Sequence, residues 1–157
     1  MTRSLSRREL LKLLALSPFC GLAACAPRGP EAIRYSEDSC EYCQMMTSDP
    51  RYGAEIISKT GKVHKFDSVE CMIGYGLRFL DEAKIQSRWV TDFHMPENFI
   101  AAQDAFYLQS TVLRSPMIVG LTAFASETAL DAAETEYSGQ KLSYADLARV
   151  VKEAKFA

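Results

Sequence analysis

The chain has 157 residues, a net charge of −2, and 48% hydrophobic and 24% charged residues, the make-up of one ordinary globular domain with room for a stable core. An acidic balance excludes a nucleic-acid surface, which needs a concentrated excess of Lys and Arg. Five cysteines and six methionines in so short a chain turn attention to sulfur.

In chain order, Arg3, Arg7, Arg8 and Lys12 lead into an apolar stretch over residues 10–22, and small residues follow in Leu22-Ala23-Ala24-Cys25. This is the build of a secretory leader. The stretch falls short of the roughly 20 apolar residues that span a bilayer, and Pro18 and Gly21 interrupt it, so a permanent transmembrane anchor is not expected. Leu22-Ala23-Ala24-Cys25 resembles the lipobox of bacterial lipoproteins, in which the cysteine carries diacylglycerol and becomes the first residue after cleavage. Residues 6–12, Ser-Arg-Arg-Glu-Leu-Leu-Lys, resemble a twin-arginine export signal, with an ordinary Sec leader as the alternative. The expectation is removal of residues 1–24, lipid on Cys25, and a place in the periplasm on the inner or outer membrane.

The leader holds four basic residues and one acidic one, so the remaining 133 residues carry about five net negative charges. Residues 25–37 are rich in proline and charge and read as a lipidated tether; residues 38–157 read as the folded domain. A cysteine-bearing loop opens it, from Asp38 to Pro50, closed by turn-forming residues. Residues 53–59 and 62–66 flank Thr60-Gly61 and predict a hairpin. Asp67 and Glu70 stand three apart before an apolar periodic run and predict a capped helix over 68–82. Val69, Met72, Ile73, Gly76, Leu77 and Leu80 form its buried stripe at helical spacing. Cys71 lies almost opposite that stripe near the helix N-terminus, so the pattern makes it the least core-like cysteine and places it where the helix dipole favours a thiolate.

Strands are predicted over 85–93, 106–110 and 117–124, a helix over 126–137 with Leu130, Ala133 and Tyr137 facing inward, and a last helix from Ser143 to about Ala154 with Asp146 completing a capping box. Residues 94–105 carry no clear pattern. Strand, turn, strand, helix occurs twice, with Phe66-Asp67-Ser68 and Phe124-Ala125-Ser126 at the junctions. The order predicts an α+β domain of two ββα-type repeats packed together.

Three cysteines remain after the leader and Cys25: Cys40, Cys43 and Cys71. An odd number cannot all pair within the chain, which argues against a disulfide framework. Cys40-x-x-Cys43-x-Met45-Met46 places four sulfur atoms within seven residues. Thiolates and thioethers are soft donors that select Cu(I) over Ca²⁺, Mg²⁺ or Mn²⁺. Zinc more often recruits four Cys or His ligands, haem attachment needs histidine where Gln44 stands, and three thiols are one short of an iron–sulfur set. A redox or structural CxxC pair and simple packing stay open beside the soft-metal reading. Met117 begins a strand and Met72 lies on the buried stripe, where core filling suffices to explain both; Met95 follows His94 in a loop; His64 alternates on a strand and reads as solvated rather than ligating. No carboxylate pair, Ser–His–Asp set or phosphate loop stands out, so an enzyme is not the first reading.

Taken together, Cys40-x-x-Cys43-x-Met45, Ser48-Asp49-Pro50-Arg51, Phe66-Asp67-Ser68 leading to Cys71-Met72, Ser115-Pro116-Met117 and Phe124-Ala125-Ser126 resemble the NosL family of lipoprotein copper chaperones associated with nitrous oxide reductase. The resemblance covers essentially the whole chain after the leader. It implies a Cu(I)-binding protein, not an enzyme, that delivers copper for the reductase's copper centres and docks on an ABC-type membrane complex. It also implies an α+β fold of two ββα-type halves related to that of organomercurial lyases. Carried over by position, the metal ligands are Cys40, Cys43, Met45 and Met117, with Met46, Cys71 and His94 as further candidates. The sequence departs from the family pattern where Gln44 replaces a usual glycine and where Ser115-Pro116-Met117-Ile118 replaces Gly-Pro-Met-Gly. A membrane-anchored thiol–disulfide oxidoreductase using the CxxC pair is the alternative.

Overall fold

The computed structural model describes residues 29–155; the leader, the lipobox and Cys25 lie outside the described residues. Among the described residues, no helix is long and apolar enough to cross a membrane. The chain runs through β1 (Ala54–Ser58), β2 (Val63–Phe66), α1 (Val69–Phe79), β3 (Ile85–Thr91), β4 (Phe99–Ala101), β5 (Phe106–Gln109), β6 (Leu121–Phe124), α2 (Glu127–Tyr137), β7 (Gln140–Leu142) and α3 (Tyr144–Glu153). Two antiparallel sheets result, ordered β2-β1-β3-β4 and β6-β5-β7.

The predicted repeat is present and one strand longer than the sequence suggested. In each sheet the first strand of the hairpin is central, its partner lies at one edge, and the strand after the helix pairs on the other side. Each half is thus a ββαβ unit. Ser68 and Ser126, two residues beyond the matching Phe66 and Phe124, cap α1 and α2 by accepting the N–H of Cys71 at 3.3 Å and of Ala129 at 3.2 Å. The Ser143–Asp146 capping box forms on α3 as expected.

The box expected of Asp67 and Glu70 does not form. The cap is one residue later, at Ser68, and both carboxylates are used elsewhere: Asp67 accepts the N–H of Ser48 at 2.9 Å, and Glu70 reaches the segment before β6. The strand expected over 117–124 is confined to Leu121–Phe124, because Ile118 N–H closes a turn on the Ser115 carbonyl at 2.9 Å and Gly120 takes φ +76°. A Cβ at Gly120 would meet the Ser110 carbonyl oxygen at 2.0 Å, so only glycine fits that return into the sheet.

The main core lies between the four-stranded sheet, α1 and α3, and includes Ile56, Phe66, Met72, Val90, Tyr107, Leu147 and Val151. A second cluster under α2 gathers Tyr52, Phe93, Leu108, Phe124, Leu130 and Ala133, with Tyr137 against it. Met72 is core, as its stripe position indicates. Leu77, expected on that stripe, is instead exposed, because α1 buries its N-terminal half on every side and leaves its last turn open.

All five residues of β1 are buried, so its sheet is covered on both faces. One face meets α1; the other is covered by residues 31–35, within the stretch the sequence predicts as a tether. Glu31 N–H donates to Glu55 at 2.9 Å, Lys65 Nζ donates to the Ala32 carbonyl at 2.7 Å, and Ile33 is buried. Lys65 and Arg34 also hold Asp38, whose carboxyl is kept at about 2 against the upward push of burial. A hydrophobic residue in a polar stretch and a lysine on the neighbouring strand suffice to dock this segment.

Candidate metal centre

The loop before β1 is a miniature hairpin. Cys40 N–H donates to the Met45 carbonyl at 2.8 Å, Gln44 N–H to the Cys40 carbonyl at 3.0 Å, and Ser39 bridges Met46. Thr47 donates its N–H and its hydroxyl to the Asp38 carbonyl, both at 2.9 Å, and Glu41 N–H donates to Lys65 on the edge strand β2. Gln44 makes the turn in the left-handed region at φ +63°, with its Nε2 on the Glu41 carbonyl at 2.9 Å. The loop is therefore fixed before any ligand arrives.

The fold brings Cys71 to this loop. Cys40 and Cys71 are fully buried and Cys43 half-buried, and the three Sγ atoms lie within 4.8 Å of one another. Sequence periodicity misplaced Cys71 because it assumes that one helix face meets water. Here Tyr42 packs over Gly74 and the 115–121 loop binds Glu70, so the first turns of α1 have no outer face.

Nor does the helix end create a thiolate at Cys71. Cys71 donates to Cys40, and that bond, with burial and the negative charge of Cys40, drives its thiol well above the ordinary range. Cys40 takes the charge. The hydrogen bond from Cys71 outweighs burial, the N–H groups of Asp67, Cys43 and Tyr42 also point at its sulfur, and the thiol is lowered to about 6. Burial, followed by the neighbouring Cys40, pushes Cys43 up despite the N–H of Met45. Three sulfurs this close cannot all be anionic without a cation, and the one with most donors holds the single negative charge.

The other sequence-predicted residues are distributed around this group. Met45 and Met46 follow it in the loop as exposed residues, 47% and 55% accessible, unlike the buried Cys40 and Cys71. Met117 is half-buried and packs against the main core cluster that contains Cys40 and Cys71. His94 lies elsewhere, its ring 5.4 Å from that of Phe124 in the second cluster and its N–H on Asp92. His64, expected to be solvated, is buried, with Nδ1 2.7 Å from Glu41 and 3.3 Å from the Tyr75 hydroxyl. Burial would raise the Glu41 carboxyl, but His64 and Lys62 hold it below its ordinary value. Sequence reasoning also missed Glu70. It is completely buried, its carboxyl raised by that burial, with Oε1 on Ser115 and Leu121 and Oε2 meeting no hydrogen-bond partner among the described residues. A glutamate two residues into an amphipathic helix gives no sign of such burial.

The NosL family profile matches residues 32–151, most of the chain and all of the elements that build the three-cysteine group. The chain belongs to the NosL family. Its fold is similar to that in the crystal structure of the copper chaperone NosL from Shewanella denitrificans, with a TM-score of 0.69 and 22% identity over 77% of this chain and 96% of that one. No curated protein matches the chain. Within the family pattern, two of this chain's departures acquire a conformational meaning. Gln44 and Ile118 stand where glycines are usual, and both adopt positive φ, +63° and +64°. The family's glycines suit those turns; here the same turns are made by residues with side chains, at a conformational cost.

Proposed function

We propose that this NosL-family chain is a periplasmic lipoprotein, anchored through Cys25, that carries one Cu(I) and delivers it for assembly of the copper centres of nitrous oxide reductase. The observation that carries the reading is the three-thiol group, one sulfur already charged, in a preformed loop of a fold similar to that of a copper chaperone. Cys40, Cys43 and Cys71 supply the soft anionic donors, and Met45 and Met117 supply thioethers. An all-sulfur set of thiolates and thioethers suits Cu(I), whereas three thiols are one short of the four Cys or His ligands that usually close a zinc site.

Transfer needs an incoming donor to add before one of the chain's own leaves. Exposed Met45, next but one to Cys43, offers a weak ligand that an acceptor's sulfur can displace, while Cys40 and Cys71 stay buried. An ABC-type membrane complex and the reductase itself are the proposed partners, and a lipid on Cys25 would raise the effective concentration of loaded protein beside the former.

The thiol–disulfide oxidoreductase reading fits less well. An attacking cysteine should be both accessible and of low pKa. Here the two properties are separated: the lowered thiol, Cys40, is fully buried, and the accessible one, Cys43, is raised.

Anaerobic titration of the reduced protein with Cu(I) against a chromophoric chelator tests the proposal. Retention of one Cu(I) per chain, with loss of nitrous oxide reductase maturation in cells carrying Cys40→Ser, is expected. Failure to hold copper removes the chaperone reading; holding copper with maturation unimpaired removes the delivery step.

A further inference from the structure

Glu70 is completely buried at the second position of α1, beside Cys71. Its Oε1 accepts the hydroxyl of Ser115 and, at 3.1 Å, the N–H of Leu121, contacts that span 45 and 51 residues of sequence. Ser115 Oγ in turn accepts the N–H of Gly120 at 2.9 Å. One carboxyl group therefore ties both ends of the 115–121 loop to the helix end that bears Cys71. Met117 sits inside that closed loop and packs on the main core cluster with the buried cysteines.

Backbone bonds also brace the loop, from the Ile118 N–H to the Ser115 carbonyl at 2.9 Å and from the Ser110 N–H to the Gly120 carbonyl at 3.0 Å, but it is the Glu70 carboxyl that joins it to α1. The loop's turn passes through Ile118, a β-branched residue at φ +64° that is 83% exposed, and the Gln109 amide reaches the Val119 carbonyl only at 3.5 Å. An unrestrained segment would leave this conformation, since a β-branched side chain disfavours the left-handed region. A buried carboxyl is costly, and an apolar residue at position 70 would leave the Leu121 N–H without its acceptor. The place where that cost is accepted is the junction between a cysteine and a methionine of the candidate site.

We propose that Glu70 is a positioning residue that clasps the 115–121 loop to the cysteine-bearing end of α1 and so holds the Met117 thioether in place for the metal. This rests on the copper reading above. Ser115, where the family pattern has glycine, is the clasp's other half.

The test combines anaerobic Cu(I) competition with NMR of methyl-labelled methionine on the purified protein, for wild type, Met117→Leu, Glu70→Ala, Glu70→Gln and the double variant Glu70→Ala/Met117→Leu. Outer partners that orient a ligand typically carry about tenfold or more in metal affinity. We expect Met117→Leu and Glu70→Ala each to weaken Cu(I) binding by about that factor, and the double variant to be no weaker than Met117→Leu alone. Glu70→Gln keeps the accepting oxygen and should restore wild-type affinity. The Met117 methyl signal should shift on Cu(I) addition in wild type and in Glu70→Gln but not in Glu70→Ala. If Glu70→Ala does not fold, Ser115→Ala takes its place in the same cycle, because it removes one partner and leaves no large cavity. Equal losses with and without Met117, or a Met117 methyl that still responds in Glu70→Ala, overturn the clasp. Copper binding that survives Met117→Leu unchanged overturns the clasp and leaves the cysteine site standing; a wild type that binds no Cu(I) overturns both.

Discussion

Copper affinity should depend steeply on pH, and the steepness counts the thiols used. Above about pH 6 Cys40 is already a thiolate, whereas Cys43 and Cys71 keep their protons. Closing a three-thiolate site on Cu(I) at neutral pH therefore expels two protons. Each expelled proton multiplies the apparent affinity by about ten per pH unit, so two give about a hundredfold, or about 2.7 kcal/mol. Below about pH 6 the proton returning to Cys40 adds a further factor of about ten per unit. A site made of Cys40, Cys43 and thioethers expels only one, since thioethers have no proton to lose, and its slope is about tenfold. Competition titrations between about pH 7 and about pH 8.5, against a chelator whose own protonation is known, measure the slope directly. An affinity independent of pH would refute the assignment of charge among the three sulfurs.

Other outcomes follow from single groups. Cys71→Ala removes the donor that most lowers Cys40, so thiolate absorbance in the ultraviolet, rising with a midpoint of about 6 in the wild type, should shift to higher pH; an unmoved midpoint contradicts the bond. Ile118→Gly should stabilise the protein by about 0.5–1 kcal/mol in urea denaturation, since it relieves a β-branched residue at φ +64° whose side chain buries little. Gln44→Gly should be near neutral, because relief of φ +63° is offset by loss of the Gln44–Glu41 hydrogen bond. Glu55 is fully buried and pushed by burial from 4.5 to about 7, with Oε1 meeting no partner among the described residues. The unfolded chain thus releases this proton first as pH rises, and stability falls between about pH 4.5 and about pH 7 by about 3 kcal/mol. Glu55→Gln should make the fall shallower by about that amount, leaving what the raised Glu70 and Asp67 carboxyls contribute, and a decline of undiminished size in the variant would assign it elsewhere.

Much of the architecture is legible in the sequence because it depends on local signals. The hairpin around Thr60-Gly61, the helix starts after Phe66 and Phe124, and the Ser143–Asp146 box each sit within a few residues, and the repeat they mark is the fold's own. Short strands such as Phe99–Ala101 and Gln140–Leu142 carry too few residues to show a period and exist because a neighbouring strand offers hydrogen bonds. The site divides in the same way. Cys40, Cys43 and Met45 announce themselves by spacing, but Cys71, His64 and Glu70 look like solvent-facing residues on their own elements. Each is buried by a segment distant in sequence: the cysteine loop over α1 and against His64, and the 115–121 loop over Glu70. Periodicity reads one element against water, and it fails where a second segment replaces the water.

X-ray absorption at the copper edge of the anaerobically loaded protein tests the central claim most directly. We expect a Cu(I) edge at one copper per chain with a shell of three or more sulfurs that loses a sulfur in Cys71→Ala. A shell of nitrogen and oxygen, or a protein that retains no copper, would contradict it.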